Sequence, residues 1–271
     1  TTGSYNAVLG TSALGANTQS NANVAIGNSA LAQHNLTSST AGYNVAVGFN
    51  AGVSVTTGVQ NTIIGGLASD ALTTGERNVV IGHGAMGSAN GSESRNIAIG
   101  WSALSQMDSD TNNYNVAVGY NAGAVVTTGI ENVLIGALAG DAITTGSYNV
   151  ALGHNSLTAE DTGSRSIAIG YFALSTQNYN GDAYNVAIGH AAGQLITTSI
   201  QNTLIGALAG DALTTGGGNV AVGYQALSSE DENGTNVAVG FQSLATQNAG
   251  ANAYSVAVGY LAGSAITTGI V

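Results

Sequence analysis

A short motif recurs along the whole chain: an Asn, an apolar residue, a residue that is usually Ala, a second apolar residue and a Gly. Copies such as NVAIG at Asn23, NVAVG at Asn44, NTIIG at Asn61 and NVVIG at Asn78 follow one another at steps of roughly 17 to 21 residues. The motif starts fifteen times, at positions 6, 23, 44, 61, 78, 96, 115, 132, 149, 166, 185, 202, 219, 236 and 255. Because a fixed period is the signature of repeat architectures, we treat each copy as the start of one coil of a solenoid.

The motif itself predicts a short β-strand. Val45 and Val47 alternate with Ala46, which is the period of two that a strand requires. We expect the strand to bury the larger pair and to lay its Ala side flat against a neighbour. Seventeen residues at about 3.3 Å each have room for two short strands and two turns, and fifteen coils at about 4.8 Å predict a rod on the order of 70 Å long.

Residues that hardly vary are expected to be structural. The fifth residue of every coil is Gly and the eighth is Ala in all coils but those with Ser156 and Ser243, which predicts close approach of another backbone. Stacked Asn side chains would bond to the coils above and below. The residues assigned this structural role are Asn23, Asn44, Asn61, Asn78, Gly27, Gly48, Gly65, Gly82, Ala51 and Ala122.

Composition narrows the possible partners. The chain has 40 Gly, no Pro, no Cys, 3 Arg and no Lys, and its net charge is -11. A single-sign negative chain repels phosphates, so we expect no nucleic-acid partner and no insertion into a membrane by this segment. Each coil has few large apolar groups, so its thin interior struggles against the entropy of ordering the whole coil. We expect three rolls packed by their Ala-rich faces to remedy this.

A longer period lies above the first. Asn44, Asn115, Asn185 and Ser255 follow one another at a step of about 70 residues, so four coils form one super-repeat. The sequence therefore predicts an all-β fold, a parallel β-roll or β-solenoid of about fifteen coils over residues 1–271. The ends, at Thr1 and Val271, carry no recognisable cap, and we expect this single segment to be part of a longer fibre.

The motif resembles a known family. NVAIGNSALA from Asn23, NIAIGWSALS from Asn96 and SIAIGYFALS from Ser166 resemble the repeats of YadA-like trimeric autotransporter adhesin heads. GYNVAVGYNAG followed by TTG is similar to repeats of phage and bacterial tail-fibre proteins. The resemblance implies a left-handed roll assembled as a homotrimer.

Two sets of acidic residues are candidate cation ligands. Asp108, Asp110 and Asn112 have the spacing of a calcium loop, although the twelfth position of that loop is Gly119 instead of Glu. The second set consists of turn residues that recur once per super-repeat and that we expect to be solvated: Asp70, Asp141 and Asp211.

A flat ring often follows the coil Gly. His83, His154 and His190 occupy this position, where other coils have residues such as Phe49, Trp101, Tyr120, Tyr171, Tyr224, Phe241 or Tyr260. Stacked rings would form a stripe that packs against neighbouring subunits or faces a glycan, with Trp101, Tyr120, Tyr171 and Tyr224 as the glycan-facing candidates. No spacing brings a His, an acid and a nucleophile together, so we expect no catalytic site and no cofactor.

The sequence predicts a structural or adhesive segment of an extracellular trimeric fibre, on a cell surface or a virion, that spaces or presents receptor binding. Two alternatives remain open. One is a self-assembling extracellular filament. The other is a single-chain ice-binding or glycan-binding solenoid, although the Thr-Thr pairs at Thr56, Thr73, Thr127, Thr144, Thr197 and Thr214 are missing from every third and fourth coil.

Overall fold

The computed structural model describes residues 3–268 and contains fifteen strands of three residues each and no helix in that range. The chain divides into two compact units, Thr1–Asn132 and Val133–Val271. The sequence predicts no cap at either end of the chain, and both ends lie partly outside the described residues.

Each unit is a parallel β-solenoid whose strands pair in chain order. In the first unit the register is direct: Val45, Ala46 and Val47 lie opposite Thr62, Ile63 and Ile64. The predicted stacking of successive motifs is therefore confirmed within both units. The first unit has β1 (Ala7–Leu9), β2 (Val24–Ile26), β3 (Val45–Val47), β4 (Thr62–Ile64), β5 (Val79–Ile81), β6 (Ile97–Ile99) and β7 (Val116–Val118). The second has β8 (Val133–Ile135), β9 (Val150–Leu152), β10 (Ile167–Ile169), β11 (Val186–Ile188), β12 (Thr203–Ile205), β13 (Val220–Val222), β14 (Val237–Val239) and β15 (Val256–Val258).

Each coil has one strand, so the expected second strand is absent from the described residues. In its place the backbone turns through residues with left-handed φ, such as Ser102 at 51° and Leu104 at 49°. These two residues still link coils, because the Ser102 N–H donates to His83 O at 3.0 Å and the Leu104 N–H donates to Ala122 O at 3.1 Å. This turn segment, which forms the second wall of each coil opposite the strand, is thus hydrogen-bonded between coils without being extended.

The predicted orientation of the strands was wrong. The central residue of each strand points inward, so Ala46 is fully buried while Val45 and Val47 are only half-buried. The reason is size: so short a coil encloses a narrow interior, which an Ala row fills together with the Leu, Val, Ile and Met side chains of the opposite wall. The larger pair is left on the outside.

The Asn ladder is confirmed. The Asn61 Oδ1 accepts the Asn78 N–H at 3.0 Å in the next coil, and the Asn61 Nδ2 donates to Gly75 O at 2.8 Å within its own coil. Asn23, Asn44 and Asn78 are likewise fully buried. The Asn61 and Asn78 side chains therefore both join neighbouring coils and close their own.

The coil Gly residues are required for two reasons. Gly82 has a φ of 141°, and an added Cβ would lie 2.1 Å from Gly100 O in the next coil. Gly27, Gly48 and Gly65 share this geometry, and the buried Ala51 and Ala122 confirm the small-residue prediction. Gly58, in a Thr-Thr-Gly turn, is not left-handed, but an added Cβ there would lie 2.4 Å from Gly75 O.

Candidate interaction face

Four side chains of each coil point outward from the strand. In the coil beginning at Ser166 they are Arg165, Ile167, Ile169 and Tyr171, which are exposed or half-buried while the intervening Ser166 and Ala168 are buried. This follows from the period of two along an extended chain. We call the resulting surface the outer strand face.

The middle of this face is an aliphatic stripe, made of the first and third residues of every strand. Ile97 and Ile135 are 37% and 39% exposed, and most other members are half-buried. Thr62 and Thr203 are the polar members. Parallel sheets are normally covered on both faces, so an aliphatic stripe open to solvent is unusual.

One edge of the face is the trailing row, the residue that follows the coil Gly. Its rings stack on those of neighbouring coils: His83 lies 4.3 Å from Trp101, Tyr171 lies 5.5 Å from His154 and 5.6 Å from His190, and Phe241 lies 5.4 Å from both Tyr224 and Tyr260. The predicted stacking is confirmed for the rings of these eight residues.

Stacking limits what the trailing row can bind. Tyr171 and Phe241 have a neighbouring ring on both faces, and Trp101 has His83 on one. A sugar that packs on an aromatic residue needs an open ring face, so Tyr171 and Phe241 offer mainly their edges. The glycan-facing role of Trp101, Tyr120, Tyr171 and Tyr224 stays a prediction.

The other edge is the leading row, the residue that precedes the coil Asn. It contains all three Arg of the chain. The Arg165 guanidinium lies 4.8 Å from the Tyr148 ring, and its Nε donates to Asp182 Oδ2 at 2.9 Å. The Arg95 guanidinium lies 5.7 Å from the Tyr114 ring. The Tyr and Arg members of the row are Tyr5, Tyr43, Arg77, Arg95, Tyr114, Tyr148, Arg165, Tyr184 and Tyr254.

Sequence reasoning singled out the trailing row and missed the leading row. The leading row could have been found from the alternation of side chains along the strand. Because the coil Asn points inward, the residues one before it and one, three and five after it all point to the opposite, outer side. The leading residues also have left-handed φ, 62° at Tyr148 and 63° at Arg165. Tyr and Arg do not indicate a left-handed conformation in a sequence.

The structure does not assemble the candidate cation sites. Asp108, Asp110 and Asn112 are exposed, and Asn112 Oδ1 accepts a hydrogen bond from Arg95. Asp110 and Asn112 line an open polar cleft of about 310 Å³. Among the described residues no three His, Asp or Glu side chains are grouped so that they could hold a metal ion.

The turn carboxylates of the second set are half-buried, not fully solvated. Desolvation raises the pKa of Asp70 and of Asp211 above the usual range, against the opposing effect of each residue's own backbone N–H. Asp141 Oδ1 accepts a hydrogen bond from the Thr158 hydroxyl. These side chains are therefore parts of the turns.

His34 and Glu160 are among the interior side chains at the twelfth position of a coil, and burial shifts the pKa of each. The His34 Nε2 lies 2.9 Å from Ser20 Oγ, and desolvation lowers the pKa of His34 despite a hydrogen bond with the Thr56 backbone. Glu160 accepts hydrogen bonds from Gln177 Nε2 at 2.7 Å and from the Gly163 N–H at 2.8 Å. Desolvation nevertheless raises the pKa of Glu160 above its usual range.

Comparison with known proteins adds no identity. No family model matches the sequence, and neither a curated protein nor a solved structure is significantly similar to it. Within residues 3–268 there is no helix with the length and apolar character needed to cross a membrane.

Proposed function

We propose that this chain is a structural or adhesive segment of an extracellular homotrimeric fibre, in which copies associate through their outer strand faces. The single observation that carries the proposal is the open aliphatic stripe with a ring-rich row on either side. In this proposal the chain is not an enzyme and uses no cofactor. It spaces or presents a binding tip for a receptor or a glycan. A left-handed roll organised in four-coil super-repeats is part of the same proposal.

The composition of the face supports association. Interface cores are depleted of charge and enriched in aromatic residues and Arg, and this face has that composition: aliphatic in the middle, Tyr and Arg on one side, and Tyr, Trp, Phe and His on the other. The 14 acidic residues of the chain lie almost entirely elsewhere, and Glu131 is the acidic member of the leading row.

The size of the face also supports association. Six steps of about 3.3 Å give a width of at most roughly 20 Å, and the eight strands of the second unit extend the face by about 40 Å along the stack. The face of that unit is therefore up to about 800 Å², comparable to the ~800 Å² that one partner buries in a standard interface.

The first test is the mass of the protein in solution. Sedimentation equilibrium is expected to give three times the mass of one chain. Leu152→Glu places a carboxylate in the stripe and should weaken association by about 30-fold or more, as expected for a disrupted interface centre. Leu195→Glu is the matched control, because Leu195 is 48% exposed on another side of its coil.

The outcomes separate cleanly when circular dichroism verifies that both variants are folded. Dissociation by Leu152→Glu alone supports the proposal. A wild-type chain that stays monomeric at high concentration overturns it, and so does equal dissociation by both variants. A thermal-hysteresis assay checks the ice-binding alternative, for which clear activity would be required.

A further inference from the structure

The two edges of the outer strand face vary together from coil to coil. Nine coils have Tyr or Arg in the leading row, and eight of these have a ring-bearing residue, Phe, Tyr, Trp or His, in the trailing row. Of the six other coils, four have Asn, Gly or Ala there. Gln60 is matched by Gly66 and Gln201 by Ala207, so a long flexible side chain on one edge goes with a small residue on the other.

Contacts within one copy do not explain this match. The three extended strand residues, which alone span about 10 Å, lie between the leading and trailing residues of one coil and form the aliphatic stripe. Stacking within a row explains why neighbouring coils have rings. It does not explain why both rows change at the same coil.

The three coils with Arg show the chemical complementarity most clearly. Arg77, Arg95 and Arg165 are matched by His83, Trp101 and Tyr171 in the trailing row. A guanidinium is attracted to the face of such a ring and can pack flat against it. Both faces of Tyr171 are covered by His154 and His190, so at that coil only the exposed rim of the ring can meet a partner. Trp101 and Tyr171 are 54% and 47% exposed, so their outer parts are open to a partner.

From this match we infer that the leading row of one copy packs against the trailing row of the next copy at the same coil level. The inference rests on the proposed self-association and specifies its geometry. Contact between two different edges of parallel copies fits a closed ring about an axis that runs along the stack, as in the proposed trimer. A two-fold axis across the stack would instead make the copies antiparallel and pair each edge with itself. The copies must also run in the same direction and in register, because only then do matched coils meet.

Cysteine cross-linking tests this geometry on the full chain, which has no Cys of its own. The double variant Tyr184→Cys/His190→Cys puts one thiol in each row of the same coil. Mild oxidation is expected to link three chains covalently. The mismatched variant Tyr184→Cys/Phe241→Cys separates the thiols by three coils, about 14 Å along the stack. Its yield should be about tenfold lower, because a disulfide needs Cβ atoms within ~4.5 Å.

Single variants complete the design. Tyr184→Cys alone and His190→Cys alone should stay uncrosslinked, since neither row meets itself. Tyr43→Cys/Phe49→Cys repeats the test in the first unit if the first pair disturbs folding.

Failure of this inference is distinguishable from failure of the proposed function. A wild-type mass of one chain refutes the self-association itself. A trimeric mass with equal cross-linking in matched and mismatched variants refutes the register alone. Dimers from either single variant show that a row meets itself, which refutes the heterologous contact.

Discussion

The inner and outer sides of the same strand place different demands on the sequence. In β11 the inward Asn185 and Ala187 are fully buried, whereas Val186 and Ile188 are half-buried on the outside. The inward Asn is replaced by Ser only at the coils beginning at Ser166 and Ser255, and the inward central residue is Ala in all but five coils, which have Val, Ile or Leu. Outward edge positions range from Tyr and Arg to Gln and Gly. The inner side therefore determines the fold, and the outer side is free to encode association.

The inner side is strict because its volume is shared among neighbouring coils. Leu204 takes the place of the usual Ala, and Gly193 and Gly210 make room for it: an added Cβ at either would lie 2.8 Å from a Leu204 δ-carbon. A larger residue in one coil is thus balanced by a smaller one beside it. No comparable constraint acts on the aliphatic stripe of a single copy.

The largest loss of stability is expected from Gly189→Ala. Its φ is 142°, and the new Cβ would lie 2.4 Å from Gly206 O and 2.5 Å from Gly206 C. Backbone strain of about 1–3 kcal/mol adds to overpacking of about 1–3 kcal/mol. We expect the free energy of unfolding, measured by denaturant titration, to fall by roughly 2–6 kcal/mol.

Gly250→Ala is the control for this substitution. Gly250 also has a positive φ, 66°, but no atom lies within 4 Å of an added Cβ. Only the left-handed conformation is then penalised, by about 1–2 kcal/mol. Equal losses at Gly189 and Gly250 would show that contact between coils is not what requires Gly.

A smaller loss is expected from Asn185→Leu. The Asn185 Oδ1 accepts the Asn202 N–H at 2.9 Å, and its Nδ2 donates to Gln177 Oε1 at 2.8 Å and to Ser199 O at 2.7 Å. Leu leaves these buried groups unpaired, at about 1–3 kcal/mol for a lost partner. We expect a total loss of roughly 2–4 kcal/mol in the same titration.

The neighbouring Val186→Thr sharpens the comparison. Val186 is on the outside, so a hydroxyl there stays hydrated and should change the stability of the unassembled chain by no more than about 0.5 kcal/mol. Its effect should instead appear as weaker association in sedimentation. If Val186→Thr were as destabilising as Asn185→Leu, the two sides of the strand would not differ as described.

Part of the fold could be predicted because backbone requirements leave a residue-type signal. The motif's Gly and Asn predicted the stacked strands, and alternation predicted each strand's position. The second wall left no such signal, since Ser102 and Leu104 adopt left-handed φ that Gly or Asn would normally indicate. The inward side was also misassigned, because Val45 and Ala46 are both apolar and only the width of the coil decides between them.

The candidate face was only partly predictable for a similar reason. The trailing row stands out as a set of rings at one position. The leading row mixes Tyr43, Arg77, Gln60 and Gly218, and no single chemistry marks it. Its membership follows from knowing that the coil Asn points inward, which the hydrogen bonds of the ladder establish.

The smallest expected effect is the pH dependence of stability, to which two interior side chains contribute with opposite signs. Burial lowers the pKa of His34, so its contribution is present above the ordinary pKa of about 6.5 and is lost as the pH falls through the lower folded value. Burial raises the pKa of Glu160, so its contribution is complete below the ordinary pKa of about 4.3 and is lost as the pH rises through the higher folded value. Acidification should therefore reduce the contribution of His34 to the free energy of unfolding and increase that of Glu160.

The measurement compares wild type with His34→Gln and Glu160→Gln from pH 8 to pH 4 at one fixed protein concentration, since association makes stability depend on concentration. The pH-independent difference in stability between each variant and wild type is subtracted, and only the slope of the free energy of unfolding against pH is compared. Wild type should lose stability relative to His34→Gln below about pH 6.5, and gain it relative to Glu160→Gln as the pH falls toward about 4.3. Slopes of the same sign would mean that burial is not what controls these two groups, and the inner side would then tolerate charge as the outer side does.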